Sequence, residues 1–388
     1  MKNYSENISA VLRQYGQIKA TQIHGRYITQ KDIAPLLEKL SEQIGIHELG
    51  KSALGKPIHI IELGKGKTKV LAWSQMHGNE STTTKAVFDL LNAFTTLKNN
   101  KTLGDILENC SIRIIPMLNP DGAQAYTRVN ANEVDLNRDA HVLKEVESRL
   151  LRKAFDDFEP DFCLNLHDQR TIFSAGRVKA PATLSFLTPS SDAKRSVTKF
   201  RKKSMQVIAG IAEDLKQALP GQIGRYDDGF NINCTGDTFQ SKAVPTILFE
   251  AGHYPDDYER EQTRKFVFAA LVSALRSIAS AEYELLDHEK YFEIPENEKL
   301  FNDIVLRNAQ NGGGSVDISI QFKEELEESG VQFVPMVEKI SGKIENFGHR
   351  EIDCEEKKVS QLNGKKLAEN VVVDKILLNG LILELKCE

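Results

Sequence analysis

His77 and Glu80 close the short segment His77-Gly78-Asn79-Glu80, which follows directly on the apolar run Val70-Leu71-Ala72-Trp73-Ser74-Gln75-Met76. An imidazole and a carboxylate at that spacing can grip one metal ion from a single turn. The pair is common by chance, and its weight comes from the chemistry further along the chain. Asn119-Pro120-Asp121-Gly122, Arg128, Asp135-Leu136-Asn137-Arg138, His167 and Glu250 follow in that order. A catalytic zinc takes three protein ligands and keeps one position open. His77 and Glu80 supply two ligands, and a distant imidazole must supply the third. His167 is the candidate because it ends the apolar run Phe162 to Leu166 and would emerge where that strand stops. His253 is a rival in a loop context, beside Tyr254-Pro255, and His24, His47, His59, His141, His288 and His349 lack a strand end.

Glu250 ends another apolar run, Thr246-Ile247-Leu248-Phe249. A carboxylate left unpaired there costs free energy, so it is either ion-paired or used. Its functional reading is a general base that takes a proton from water and returns it to the leaving amine. Arginine grips carboxylates with two parallel hydrogen bonds and steadies charge developing on a carbonyl oxygen. Arg128 and Arg138 are candidates for both tasks. The parts are those of a mononuclear zinc hydrolase, with one Zn²⁺ per chain.

These residues need a scaffold. Ile58 to Leu63, Val70 to Met76, Ser111 to Leu118, Phe162 to His167 and Pro245 to Glu250 read as strands, several of them apolar throughout. Helices are expected over Thr83 to Phe94, about Ala140 to Phe158, Ser196 to Leu219 and Tyr258 to Leu286. Such alternation predicts a parallel or mixed sheet covered on both faces, with functional residues gathered outside the carboxyl ends of its strands. Residues 1–45 read as an amphipathic helical lead-in packed on the main domain, which spans 46–287. After a polar linker near Ile294-Pro295-Glu296-Asn297, residues 288–388 read as a small all-β domain. Ser315 to Phe322, Val331 to Val337 and Val371 to Leu385 are its strands, with Asn363-Gly364 and Asn379-Gly380 as turn signals.

The chain has 388 residues, 40% of them hydrophobic, which supports a sizeable core. Its net charge of −5 is uneven: residues from Asp287 onward carry −8 and the remainder +3. No basic block suits nucleic acid, and no apolar run reaches the roughly 18 residues a membrane helix needs. The polar opening Met1-Lys2-Asn3-Tyr4-Ser5-Glu6-Asn7 shows no secretory signal, and five scattered cysteines suit a reducing compartment. A cytoplasmic location is expected.

The motifs His77-Gly78-Asn79-Glu80, Asn119-Pro120-Asp121-Gly122, Arg128-Val129-Asn130, Asp135-Leu136-Asn137-Arg138, His167 and Phe249-Glu250 together resemble the zinc carboxypeptidase family of the carboxypeptidase A type. The resemblance spans about residues 46–285. It implies a three-layer α/β/α fold with a mixed, mostly parallel sheet of about eight strands. It also implies zinc on His77, Glu80 and His167, with Glu250 as the catalytic glutamate. By the same resemblance, Arg128 polarises the scissile carbonyl, and Asn137 and Arg138 hold the terminal carboxylate. Tyr226 matches only loosely the tyrosine that covers the terminal residue. The pocket for the terminal side chain is expected near Thr235-Gly236-Asp237-Thr238.

The implied activity is hydrolysis of the C-terminal peptide bond of a substrate with a free carboxylate. An alternative is an N-acyl amino-acid amidohydrolase resembling aspartoacylase and succinylglutamate desuccinylase, which share parts of the motif set and a β-rich C-terminal domain. A third reading is an inactive zinc-binding adaptor whose β-domain recruits partners. Residue types leave the terminal-residue preference and the oligomeric state open.

Overall fold

Strands that are apolar on both faces must be covered on both, and here that condition builds the centre of the fold. The computed structural model describes residues 4–387; Met1-Lys2-Asn3, part of the stretch read above for a leader, lies outside them. Nine strands precede the C-terminal region: β1 (Gly45–Lys51), β2 (Pro57–Gly64), β3 (Thr68–Ser74), β4 (Cys110–Ile115), β5 (Phe162–Asp168), β6 (Phe173–Ala175), β7 (Leu184–Leu187), β8 (Ile223–Arg225) and β9 (Thr246–Ala251). Eight of them form one sheet in the order β1-β2-β4-β3-β5-β9-β7-β8. The central four, β4-β3-β5-β9, run parallel, while β1, β2 and β7 pair antiparallel with neighbours.

The period of two along β3 shows the three layers directly. Val70 and Ala72 enter one core, and Leu71 and Trp73 enter the other. The helices are α1 (Tyr4–Arg13), α2 (Tyr15–Ile18), α3 (Gln30–Ser41), α4 (Thr82–Thr96), α5 (Lys101–Asn109), α6 (Pro120–Ala125), α7 (Val146–Phe158), α8 (Lys199–Leu215), α9 (Thr235–Ser241) and α10 (Glu261–Ser280). The larger core takes α4, α5, α8 and α10, and the smaller takes α7 and α9. No helix among the described residues is long and apolar enough to cross a membrane. The N-terminal segment is bonded into the larger core. Asp89 of α4 accepts from the Tyr15 hydroxyl at 2.7 Å and from Ala20 N–H at 2.8 Å, and it pairs with fully buried Arg264 at 2.6 Å.

Several elements differ from expectation for local reasons. Residues 140–145 are turns rather than helix, because Asp139 accepts from the Lys144 and Glu145 N–H groups and Leu143 takes φ 58°. The helix expected to start at Tyr258 starts at Glu261, after Arg260 at φ 59°. Asn119-Pro120-Asp121-Gly122, read as a turn, opens α6: Asn119 caps it and Pro120 sits at its first position, where a missing N–H costs nothing.

The expected polar linker is instead part of a sheet. Ile294 is buried, and β10 (Asn297–Lys299) pairs antiparallel with β6. Beyond it, β11 (Phe301–Gln310), β12 (Ser315–Glu327), β13 (Gly330–Ser341) and β14 (Phe347–Asp353) form a sheet in the order β13-β12-β11-β14. A second sheet holds β15 (Val359–Gln361), β16 (Lys375–Leu378) and β17 (Leu381–Glu384). Asn379-Gly380 joins β16 to β17 with φ of 49° and 86°, the left-handed pair that a two-residue hairpin requires.

This β-rich region docks through histidines. His349 of β14 donates from Nε2 to Thr171 O at 2.8 Å, stacks on Phe301 at 4.4 Å and meets the His253 ring at 4.2 Å. Burial pushes the His349 imidazole down to about 4, and it pushes His253 well below its usual value. A histidine that is neutral when folded and charged when unfolded stabilises the fold above its unfolded value near ~6.5. That contribution is lost as pH falls through the folded value. For His349 it amounts to about 3 kcal/mol. Denaturant midpoints are therefore expected to fall between pH 7 and pH 4.5, with a shallower fall in His349→Gln. Equal slopes in the two proteins would refute the assignment.

Candidate metal centre and catalytic cleft

Three strand ends converge here, and short polar tethers fix the loops that leave them. After β3 the chain turns at Gln75, φ 49°, whose side-chain amide donates to Ile28 O and Gly78 O. Gly78 is required by close approach, since a Cβ there would lie 1.9 Å from the Gly122 carbonyl carbon. Asn119 fastens the same loop. Its amide nitrogen donates to Met76 O and to Val129 O, both at 3.1 Å, tying the His77 segment to the one that carries Arg128. On the neighbouring strands, His167 of β5 and Glu250 of β9 are paired in register.

His77 Nδ1 lies 2.8 Å from one Glu80 oxygen, and His167 Nδ1 lies 2.8 Å from the other. The two Nδ1 atoms are 3.2 Å apart, and all three side chains are buried. Two ring nitrogens that close make poor neighbours unless a cation or a proton lies between them. Ligands about 2.0–2.1 Å from a tetrahedral zinc sit roughly 3.3 Å from one another. The spacing and the donor set therefore fit a zinc ion held by His77, Glu80 and His167, and these three form the candidate metal cluster among the described residues.

Asp135 opens the motif Asp135-Leu136-Asn137-Arg138, and the structure shows what it does. It accepts from His77 Nε2 at 3.0 Å and from Asn137 N–H at 2.8 Å, so it presents Nδ1 of His77 toward the cluster. Burial opposes charge on His77, yet Glu80 and Asp135 outweigh it and raise its basicity. His167 moves the other way, because burial prevails over Glu80. Glu80 and Asp135 are both held well below the usual carboxylate range: burial resists, and the histidines, with Arg128 on Asp135, prevail. Outer carboxylates of this kind set metal affinity. Asp135→Asn is expected to weaken zinc binding about 10- to 100-fold in a competitive chelator titration, and unchanged affinity would remove Asp135 from the site.

Around the cluster lies a cavity of 630 Å³ whose lining includes Arg128, Asn137, Arg138, Tyr226 and Glu250. Glu250 is half-buried, and its buried carboxylate oxygen, Oε2, lacks a partner among the described residues. Burial, then Glu80 and Asp168, push its carboxyl well above the ordinary range. Arg128 spans the two carboxylates nearest the histidines, with Nη1 donating to Glu80 at 3.2 Å and Nε to Asp135 at 3.0 Å. Asn137 Oδ1 accepts from Thr235 N–H at 2.9 Å. Arg138 donates to Asn137 O at 2.8 Å and to Cys234 Sγ at 3.2 Å, and it has no carboxylate partner among the described residues. Tyr226 packs edge-on against Phe173 at 5.3 Å, and its hydroxyl is raised by burial and by Glu250.

The site residues expected from sequence thus meet in one place, and the rival His253 does not join the cluster. The stretch expected to shape the side-chain pocket is the buried first turn of α9. Asp237 there is committed to the Ser190 and Asn231 N–H groups at 2.9 and 3.0 Å, and burial raises it to about 6. The cavity also has contributors that no motif announced. Arg26 comes from the N-terminal segment, and Gln321 to Glu324 come from β12.

Residues 31–167 match the family described as zinc carboxypeptidase. Over 191 residues the chain is 31% identical to a protein named "Probable carboxypeptidase 2" from Trichophyton verrucosum, covering 47% of this chain and 34% of that one. The chain therefore spans about a third of that curated relative. Among solved structures, a metallo-carboxypeptidase from Burkholderia cenocepacia superposes with a TM-score of 0.53 at 18% identity, covering 66% of this chain and 70% of the other. Carboxypeptidase A from Helicoverpa armigera does so with 0.52 at 17% identity, covering 71% and 81%. Residues 31–167, about a third of the chain, are thus similar in sequence to the zinc carboxypeptidase family, and the solved structures share the fold.

Proposed function

We propose that the protein is a zinc-dependent carboxypeptidase that removes the last residue of a peptide. The observation that carries this reading is the convergence of two Nδ1 atoms and the Glu80 carboxylate beside Glu250 Oε2, in a cavity that also holds Arg138 without a carboxylate of its own. When bound, zinc would act as a Lewis acid toward the scissile carbonyl and make an attacking water more acidic.

The chain's own residues would do the rest. Arg138 and the Asn137 amide nitrogen hold the substrate's terminal carboxylate and fix its register, which turns remote binding into orientation. Arg128 faces the scissile carbonyl oxygen and meets the charge that develops there. Glu250 takes the water proton on its unpartnered oxygen, then delivers it to the departing nitrogen. Tyr226, on the same cavity wall, covers the terminal residue and limits access of bulk water.

The test uses N-acetylated tripeptides with a free C-terminus and the same peptides as C-terminal amides. Release of the last amino acid, followed by mass spectrometry, is expected only for the free acids. A chelator should abolish it and added zinc should restore it. Cleavage at an internal bond, or comparable rates on the amides, would overturn the reading.

A further inference from the structure

Five cations line the catalytic cavity: Arg26, Arg128, Arg138, Arg170 and Lys323. Three of them are accounted for. Arg26 is neutralised by Glu324 at 3.0 Å, Arg128 by Glu80 and Asp135, and Arg138 awaits the terminal carboxylate. Lys323 reaches Glu325 at 2.7 Å on an exposed surface, where an ion pair is worth little. Arg170 has no hydrogen bond or ion pair with any described residue. Two cavity carboxylates are already engaged elsewhere: Asp168 accepts from the Thr82 and Thr83 N–H groups and Glu324 from Arg26 and Tyr126.

An exposed arginine is ordinarily just solvated, but this one stands on pinned backbone. On its N-terminal side, Gln169 N–H donates to Ala251 O at 2.8 Å and Gln169 O accepts from Arg260 at 2.8 Å. On its C-terminal side, Thr171 is held from the β-rich region, by Gln321 at its hydroxyl and by His349 at its carbonyl. The C-terminal region therefore both fixes the loop that presents Arg170 and supplies Lys323 to the same cavity. A peptide whose only anion is its terminal carboxylate leaves Arg170 unanswered and Lys323 with its exposed pair to Glu325 alone.

We infer, building on the carboxypeptidase reading, that the preferred substrates carry a second carboxylate on the acyl side of the scissile bond, an acidic side chain in one of the residues just before it, held by Arg170 together with Lys323. The class is thus acidic peptides, and Arg170 is a specificity-determining residue.

Zinc-loaded protein is assayed on N-acetylated tripeptides that differ only in a central Glu, Gln or Lys. The kcat/KM ratio of Glu over Gln is expected to be about ten, with Lys lowest, as for one charge-assisted contact near the surface. The ratio should fall toward one in Arg170→Ala and invert in favour of Lys in Arg170→Glu. Unchanged thermal unfolding in both variants rules out misfolding as the cause. Equal rates on Glu and Gln in the parent, or a retained tenfold ratio in Arg170→Ala, overturns the inference while leaving the carboxypeptidase reading intact. Should no tripeptide be cleaved, that reading fails, and calorimetric binding of the same three peptides to zinc-loaded Glu250→Gln decides the inference alone. Tightest binding of the Glu peptide supports it, and equal binding overturns it.

Discussion

Glu250→Gln is expected to lower kcat by about three orders of magnitude while the bound zinc stays at one per chain. General acid–base catalysis by a positioned carboxylate contributes about 10²- to 10⁴-fold, and glutamine keeps the shape while losing the basic oxygen. The structure makes this substitution unusually clean. Among the described residues Glu250 has no ion pair and its Oε2 has no partner, so little except proton transfer is removed. Burial disfavours the carboxylate, so exchanging it for a neutral amide should leave thermal stability equal or slightly higher. KM should move little, because the groups that would anchor the substrate are Asn137 and Arg138. Turnover, zinc content by mass spectrometry and the unfolding midpoint check the three parts. Near-parental turnover would show that another group carries the proton.

What sequence reveals of this site follows from where strands stop. His167 and Glu250 each end an apolar run, and such runs sit at the centre of a parallel sheet, so both side chains emerge at one edge. That inference needs no knowledge of neighbours, and the register of β5 with β9 bears it out. The His77 turn was legible for the same reason, and Asn119 could be recognised by type although its double tether could not. Asp135 illustrates the boundary. Its position inside a motif was visible, but its grip on His77 Nε2 depends on a contact 58 residues away.

The cavity wall contributed by Arg26 and β12 was not legible at all. Gln321-Phe322-Lys323-Glu324-Glu325 reads as an ordinary exposed strand with charges, and nothing in its spacing indicates which surface it meets. Docking of that strand rests on long-range contacts, such as Gln321 with Thr171 at 2.9 Å and Glu324 with Arg26 at 3.0 Å. The misread linker has the same origin. Ile294-Pro295-Glu296-Asn297 is polar enough for a tether, yet β6 offers an edge that the following residues complete. Periodicity reports which face of an element is buried and is silent about which other element buries it. The helix limits at residues 140–145 and 258–260 were displaced by single residues in left-handed conformation, which propensity does not register.

Arg128→Ala is expected to reduce kcat by about 10²- to 10³-fold, the range seen when one donor to a developing oxyanion is lost. Two effects of this change must be separated. Arg128 is half exposed and also bridges Glu80 and Asp135, so its removal leaves two carboxylates without their cation. Those carboxylates retain His77 and His167 as partners, and zinc affinity should therefore fall by less than in Asp135→Asn. Measured at saturating zinc, the kcat loss then isolates the substrate-facing role. Arg128→Lys keeps the charge without the planar fork, and cannot donate to Glu80 and Asp135 while also meeting the carbonyl oxygen. It should recover at most about a tenth of parental turnover. A variant that raised KM with kcat intact would instead place Arg128 among groups that bind ground state and transition state alike. In that event the oxyanion would have to be met without any side-chain donor from this wall, and Arg138 would be the next residue to replace.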